Sequence, residues 1–216
     1  MAAWWQILRE LPKSGYSQQN EQSILSSVFA NIGETTRFLV DLGAADGVWL
    51  SNTRYFIEQG WKGCLLDGGH QTADVNMAWI TAGNIVELLE ARSVPSTFDL
   101  LSIDLDGQDY WVLKSVLERY HPRVIVAEYN GIFSEHECKT VPLDPNFRFK
   151  DNDHHGASYG ALKKLAQSHG YRTLCHNGLN VFFVEKASAP EGLVDPLYAP
   201  NRGWPPAPHG SVWVAV

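Results

Sequence analysis

Cysteine is scarce in this sequence: its three copies, Cys64, Cys138 and Cys175, stand far apart with no C-x-x-C pair. An odd, scattered set does not build a disulfide framework, which implies a reducing compartment. Long apolar runs are missing too. No stretch approaches the ~20 residues of a membrane-spanning helix, and the opening MAAWWQILRE lacks the basic-then-apolar pattern of a secretory leader. The expectation is a cytoplasmic protein, cellular or made in the cytosol by a phage or virus, with no membrane partner. An excess of positive charge is also absent. With 17 Lys and Arg against 24 Asp and Glu, the net charge of −7 gives no general attraction to nucleic acid. No internal repeat is visible.

What remains is an ordinary globular composition, 216 residues of which 44% are hydrophobic, suited to one domain around one core. Ile24, Leu25, Val28, Phe29 and Ile32 recur at helical spacing over residues 20–33 and stop at Gly33. Apolar runs predict strands over 37–43, 62–68, 75–81, 98–107, 123–130, 171–177 and 179–186. Between them lie helical patterns over 51–60 (capped by Ser51 or Asn52), 82–95, 110–122 and 157–170. Alternating strands and helices with near-continuous apolar strands imply an α/β, mostly parallel sheet with helices on both faces. Only a short turn at Gly178 joins the last two strands, so they pair antiparallel. The outline is a Rossmann-like class I methyltransferase fold, seven-stranded with a terminal antiparallel strand. It occupies residues 1–186. Within it, 131–157 is too long for a simple connection and reads as a substrate or lid loop. Residues 187–216, with six of the 11 prolines, read as an irregular arm on the surface or on a neighbour. Trp4, Trp5, Trp204 and Trp213 near the ends point to arm docking or to a homodimer.

Such sheets bind ligands beyond the carboxyl ends of their strands, here after Val40, Leu66, Ile103 and Ala127. The first end reads Asp41-Leu42-Gly43-Ala44-Ala45-Asp46-Gly47. Small residues at Gly43, Ala45 and Gly47 let backbone approach a ligand closely. G-x-G-x-x-G is incomplete because Ala45 takes the second glycine's place, and no Walker lysine follows. Asp41 and Asp46 would repel phosphate but suit a cationic, hydroxyl-rich ligand such as S-adenosylmethionine (SAM). At the second end, Asp67, in a turn with Gly68 and His70, is placed to accept hydrogen bonds from a ribose diol. After Ile103, Asp104 and Asp106 share a face by strand period, with Asp109 just beyond. Crowded carboxylates need a cation, a donor or a raised pKa. With Glu128 or Asn130 from the next strand end they could hold Mg²⁺ or provide a general base. In the long loop, His154 or His155 could orient a substrate or act as base.

The segments FLVDLGAADGVWLSNTRYFIEQGWKGCLLDG, ITAGNIVELLEARSVPSTFDLLSIDLDGQDYWVLKSVLERYHPRVIVAEYN and GASYGALKKLAQSHGYRTLCHNGLNVFFVE resemble the FkbM-type methyltransferase-like family in order and spacing, from about residue 20 to 185. The resemblance implies a SAM-dependent O-methyltransferase acting on a small molecule or sugar. It would put SAM over residues 41–47, the ribose near Asp67, and the acceptor near Asp104, Asp106 and Glu128. Ala45 and the short interval after Asp67 depart from the family pattern. They motivate an alternative, a Rossmann-like binding or structural protein, of cellular or phage origin, that has lost methyl transfer.

Three other motifs compete. GASYG at 156–160 matches the hydrolase elbow G-x-S-x-G with Ser158 as nucleophile, but no strand precedes it. His136, Cys138, His154 and His155 could bind zinc, without finger spacing. Asp104-Leu105-Asp106 matches the D-x-D of nucleotide-sugar transferases, for which the chain is short.

Overall fold

Apolar runs too long to leave one face wet become the central sheet. The computed structural model describes residues 2–200 and 203–216. Its strands are β1 (Phe38–Leu42), β2 (Lys62–Asp67), β3 (Val75–Met77), β4 (Thr97–Ile103), β5 (His121–Glu128), β6 (Lys139–Thr140), β7 (Tyr171–His176), β8 (Asn180–Glu185) and β9 (Val214–Ala215). Its α-helices are α1 (Glu21–Ile32), α2 (Arg54–Glu58), α3 (Ile85–Glu90), α4 (Asp109–Leu117) and α5 (Tyr159–Ser168), preceded by a 3-10 turn at Trp4–Glu10. Seven strands form one sheet in the order β3-β2-β1-β4-β5-β8-β7, and β6 pairs with β9 apart from it. The first five are mutually parallel, and β8 is antiparallel to both β5 and β7. The last of the seven strands in sequence therefore does not edge the sheet; it inserts between β5 and β7.

Side chains alternate across the sheet, and each face has its own core. Val40, Leu42, Leu66, Leu101 and Ile103 face α3, α4 and α5, packing on Ile85, Leu89, Val112, Leu113 and Leu162. Leu39, Leu65, Val124 and Phe182 face α1 and α2, packing on Ile24, Leu25, Val28, Phe29 and Phe56. Each such side chain, fully buried, contributes about 1.5–3 kcal/mol. Asp99, wholly buried in β4, takes backbone N–H bonds from Thr35, Thr36 and Arg37 and a 2.9 Å ion pair from Arg123. Burial alone would raise its pKa, but the Thr35 and Arg123 bonds outweigh that and hold it below the usual range.

Three elements are shorter than their sequence patterns. The helix expected over 51–60 is a single turn, Arg54–Glu58, with Thr53 as its cap residue. Ser51 still serves the helix start, its Oγ accepting from Arg54 N–H at 3.0 Å, while Asn52 turns to Ser102. The third strand stops at Met77 instead of continuing through Thr81, because Trp79 turns out to bond Pro145 O. Residues 68–74 join two parallel strands without a helix. They can do so because β3 pairs only with Leu65–Asp67, the last three residues of β2, so the chain has little sheet to climb back. Residues 187–200 and 203–216 run back over the domain. Leu197 O accepts from Arg9 and His176, Ala199 O accepts from Tyr129, and β9 pairs with β6 inside the long loop. Among the described residues, no helix is long and apolar enough to cross a membrane.

Candidate functional site

Crossing of the backbone fixes the site's centre. Leu42 O accepts from Asp104 N–H at 2.9 Å, which ties the ends of β1 and β4 together. Gly43, at φ +87°, has no room for a side chain: a Cβ there would lie 1.7 Å from Asp104 O. The glycine is required by the close packing of the β1 end on the Asp104 backbone. Gly47 is similar, since its Cβ would meet Val75 at 2.8 Å.

Beyond β4 the chain coils instead of extending. Asp104 and Asp106 lie past the strand's last residue, and Asp106 adopts φ +53°. They come together through this loop, not through strand period. Asp109, the first residue of α4, holds the loop by accepting from Leu105 N–H at 2.7 Å and Gly107 N–H at 2.9 Å. Glu128, the last residue of β5, completes the group: one oxygen each of Asp104, Asp106 and Glu128 lie within 4.8 Å of one another. Burial, then the charges of Asp109, Asp106 and Asp41, raises Asp104 well above its usual pKa. Burial, then Asp104, Asp109 and Asp106, does the same to Glu128, and a hydrogen bond between Asp104 and Glu128 favours a shared proton. Asp106 opens to solvent, yet the enclosing protein and then Asp109 push it up to about 6. A hard divalent cation is the partner such oxygens lack, so the donor set fits Mg²⁺.

Asn130 does not join them. Its amide donates to Asp153 O at 2.7 Å and His155 O at 2.9 Å, and its Oδ1 accepts from Ile132 N–H. The side chain fixes the loop that carries the histidines. Those two histidines part company. His155 is buried, and its Nδ1 lies 3.9 Å from Glu128 Oε2 without a hydrogen-bond partner. Burial, then the neighbouring His154, lowers its pKa to about 4, so the ring is neutral at pH 7. His154 faces the other way, its Nε2 2.8 Å from Val212 O and its ring against Trp213.

On the β1–β2 side the amides are already committed. Gly43 and Ala44 N–H both donate to Leu66 O, Gly47 N–H to Ala44 O, and Val48 and Trp49 N–H to Asp46 Oδ1. Those last bonds lower the Asp46 pKa, Trp49's first. A phosphate would find few free donors here. α2 begins seven residues after Gly47, and Ser51 holds its first amide. Asp67 accepts from Ala45 N–H through one oxygen and from Gly69 N–H, His70 N–H and the His70 ring through the other. Gly68 is pressed by Trp79, 2.9 Å from where its Cβ would lie. Asp41 points into the core on the α1 side. Its carboxyl accepts from Thr53 Oγ1 at 2.6 Å and bonds Ser102, and burial raises its pKa to about 6. It positions the loop between β1 and α2 and does not face the strand ends itself.

The long loop covers this surface. Phe147 stands over Gly107, and Arg148 stacks 3.5 Å above Trp79. Phe149 packs edge-on against both His155 and Trp204, at 5.2 and 4.9 Å between ring centres. Trp204 reads from the sequence as an arm-docking residue, but its partner Phe149 carries no local sequence signal, because the contact joins the loop to an arm more than 50 residues later. Thr53 is the other residue that sequence reasoning passed over.

The competing motifs resolve structurally. Ser158 Oγ donates to Glu137 O and accepts from Lys139 and Ala161 N–H, so it caps α5 and is no free nucleophile. Among the described residues, only Asp104, Asp106 and Glu128 meet as a candidate metal group. His136, Cys138, His154 and His155 do not form one.

Neither a family model nor a curated protein matches the sequence. Among solved structures, the chain is similar to the MycE methyltransferase of the mycinamycin biosynthetic pathway, in complex with Mg, SAH and mycinamycin VI: 17% identity, TM-score 0.49, 90% of this chain and 56% of that one. It is similar to CalO1, a methyltransferase of calicheamicin biosynthesis in its SAH-bound form, at 14% identity, TM-score 0.38, 73% of this chain and 52% of that one. A third is the E. cuniculi Mtq2–Trm112 complex for methylation of eRF1, at 11% identity, TM-score 0.36, 80% of this chain and 98% of that one. The chain spans little more than half the length of the first two. At these identities and scores, the likeness transfers no activity. The chain's own strand order, with antiparallel β8 inserted beside β5, is that of the Rossmann-like class I methyltransferase fold.

Proposed function

We propose that this protein is a SAM-dependent methyltransferase of the FkbM type that methylates a hydroxyl of a small molecule or sugar with the help of Mg²⁺. The observation that carries the reading is the gathering of Asp104, Asp106, Glu128 and His155 at the carboxyl ends of β4 and β5. SAM supplies the electrophilic methyl carbon, and Mg²⁺ on the three carboxylates would lower the pKa of a hydroxyl beside it. The chain's own residues do the rest. His155, neutral and without a partner at Nδ1, takes the acceptor's proton. Glu128, 3.9 Å away, stabilises the imidazolium that results. Asp67 offers its carboxylate to a ribose diol once the exposed His70 ring swings aside. The lid residues Phe147 and Phe149 exclude water and fix the acceptor, so that positioning supplies much of the rate.

Titration calorimetry with SAM and with its demethylated product, each with and without Mg²⁺, tests this. Binding of either ligand with micromolar affinity is expected, and folded protein that binds neither overturns the reading.

A specific observation favours a second reading, a Rossmann-like binding protein without methyl transfer. The amides of residues 43–45 and 47–49 and both Asp67 carboxylate oxygens are engaged within the chain. The same titration separates the two readings, because only the first expects SAM to bind.

A further inference from the structure

A second cleft opens between α1 and α2, at the amino ends of β1 and β2 and so at the opposite end of the sheet from the acidic group. Its volume is about 440 Å³, within the ~300–1,000 Å³ of small-molecule sites. The floor is aromatic. Phe29 stands edge-on to Phe56 and to Trp61, at 5.6 and 5.0 Å between ring centres, and all three rings are buried. Tyr55, half-buried, stands edge-on to Phe56 at 5.3 Å. Rings set at these angles offer both faces and edges to one more flat ring.

The mouth is charged and held in place. Arg37 and Glu34 both line it, with Arg37 Nε 3.3 Å from Glu34 Oε2 and each side chain nearly half exposed. Arg37 Nη2 donates to Gln59 O, just past the last residue of α2, and Nη1 meets no acceptor among the described residues. The backbone fixes where this guanidinium starts. Arg37 sits at φ +51°, its N–H donates to Asp99 Oδ2 at 2.7 Å, and its carbonyl accepts from Lys62 N–H at 2.9 Å. An arginine in the left-handed region is uncommon and persists only where its surroundings over-determine it.

We propose that this cleft binds a free aromatic α-amino acid, with the ring inward and the zwitterion at the mouth. The ring follows from the aromatic floor. The zwitterion follows from the mouth, which presents one cation and one anion side by side. A carboxylate alone meets Arg37 but is opposed by Glu34, and an ammonium alone meets the reverse. A molecule that carries both groups on one carbon pairs with each. The exposed Arg37–Glu34 pair is itself worth little in water, so the ligand replaces it at small cost, and a guanidinium suits a carboxylate in particular. The cleft lies apart from the strand-end site, so this binding is independent of methyl transfer.

Ligand-observed NMR titration of the full-length protein tests this with three compounds. L-phenylalanine carries both charges, N-acetyl-L-phenylalanine lacks the ammonium, and L-phenylalaninamide lacks the carboxylate. L-phenylalanine should bind with a Kd of about 1 mM or tighter, and each derivative about tenfold or more weakly. The demethylated product of SAM should leave the affinity for L-phenylalanine unchanged. Ala30, exposed on α1 and part of the cleft wall, gives the blocking variant. Ala30→Phe should weaken L-phenylalanine about tenfold or more without moving the thermal melt. Glu34→Gln should weaken L-phenylalanine about fivefold and strengthen N-acetyl-L-phenylalanine, because a lone carboxylate then meets Arg37 unopposed.

No binding of L-phenylalanine at about 10 mM overturns the site. Equal binding of the three compounds overturns the zwitterion. Unchanged affinity in Ala30→Phe, or competition with the demethylated product of SAM, puts the amino acid elsewhere and overturns the cleft. Where Ala30→Phe loses the native melt, Glu34→Gln decides: opposite shifts for L-phenylalanine and its N-acetyl derivative support the proposal, and shifts of one sign or none overturn it. Failure of SAM and its product to bind in calorimetry would remove the methyltransferase reading alone and leave these cleft measurements standing.

Discussion

At the scale of single residues, buried titratable groups make the sharpest predictions. His155 is the base in the proposed reaction, so His155→Gln should lower turnover by about 10²–10⁴-fold while SAM affinity stays within a few-fold. A loss of SAM binding in that variant would show that the ring has a different role. Asp41 has the opposite character. Its pKa is raised to about 6 by burial, so it contributes stability below the unfolded carboxylate range and loses that contribution as pH rises through about 6. Asp41→Asn keeps an acceptor for Thr53 and removes the ionisation. Chemical denaturation at pH 8 should find it more stable than the native protein by on the order of 2 kcal/mol, with no gain near pH 4. In the sequence, Asp41 and Asp46 look alike, two acids flanking a small-residue turn. Their fates differ because β1 turns Asp41 inward to Thr53 while Asp46 faces solvent, and the distinction depends on which side of the sheet α1 covers.

At the scale of elements, the strand ends and the turns between them divide what sequence can and cannot reveal. Apolar runs name β1, β2, β4, β5, β7 and β8 because burial on both faces demands continuous hydrophobicity. The end of β3 at Met77 and the single turn of α2 were not legible, since each is set by a distant partner: Pro145 for Trp79, and Asp41 for Thr53. The acidic trio was legible as residue types but not as geometry. Period-two spacing puts Asp104 and Asp106 on one face of a strand, yet they meet in a loop that Asp109 holds. Asn130 looks like a ligand by position and is a brace by its bonds. The crossing of β1 and β4 is unforgiving. Gly43→Ala would place a methyl group 1.7 Å from Asp104 O in a left-handed backbone. We expect a loss of about 3 kcal/mol or more in denaturant melts, because backbone on both sides must move. A loss under about 1 kcal/mol would mean that the junction yields more easily than its packing implies.

At the scale of the whole molecule, carboxylates set an acid-leaning stability profile. Asp41 and Asp106 rise to about 6, and Asp104 and Glu128 are also raised well above the usual carboxylate range, so without a cation the fold loses stability as pH climbs through about 6. Asp99 runs the other way: its lowered pKa contributes stability above the unfolded carboxylate range that is lost as pH falls. A melting-temperature series should therefore fall from about pH 5 towards pH 8 in chelator. Mg²⁺ should recover part of that fall at pH 8 and little at pH 5, since only ionised carboxylates gain from the ion. A flat response to Mg²⁺ at pH 8 would argue against the cation site. The arm over residues 187–216 was legible as an arm, but its partners were not, for a related reason. Its prolines read as an irregular arm, yet Val214–Ala215 pairs as β9, and that pairing, like the docking on Tyr129, His176 and Phe149, is a long-range property of the folded chain.

The brevity of β3 has a consequence outside catalysis. A sheet's outer strand exposes unpaired N–H and C=O groups that can recruit strands from other molecules. Here that margin is three residues long, and the chain leaves it at once through Trp79. So short a template gives an incoming strand few rungs to register on. The exposed Met77 beside it therefore sits on an edge that resists growth into stacked assemblies.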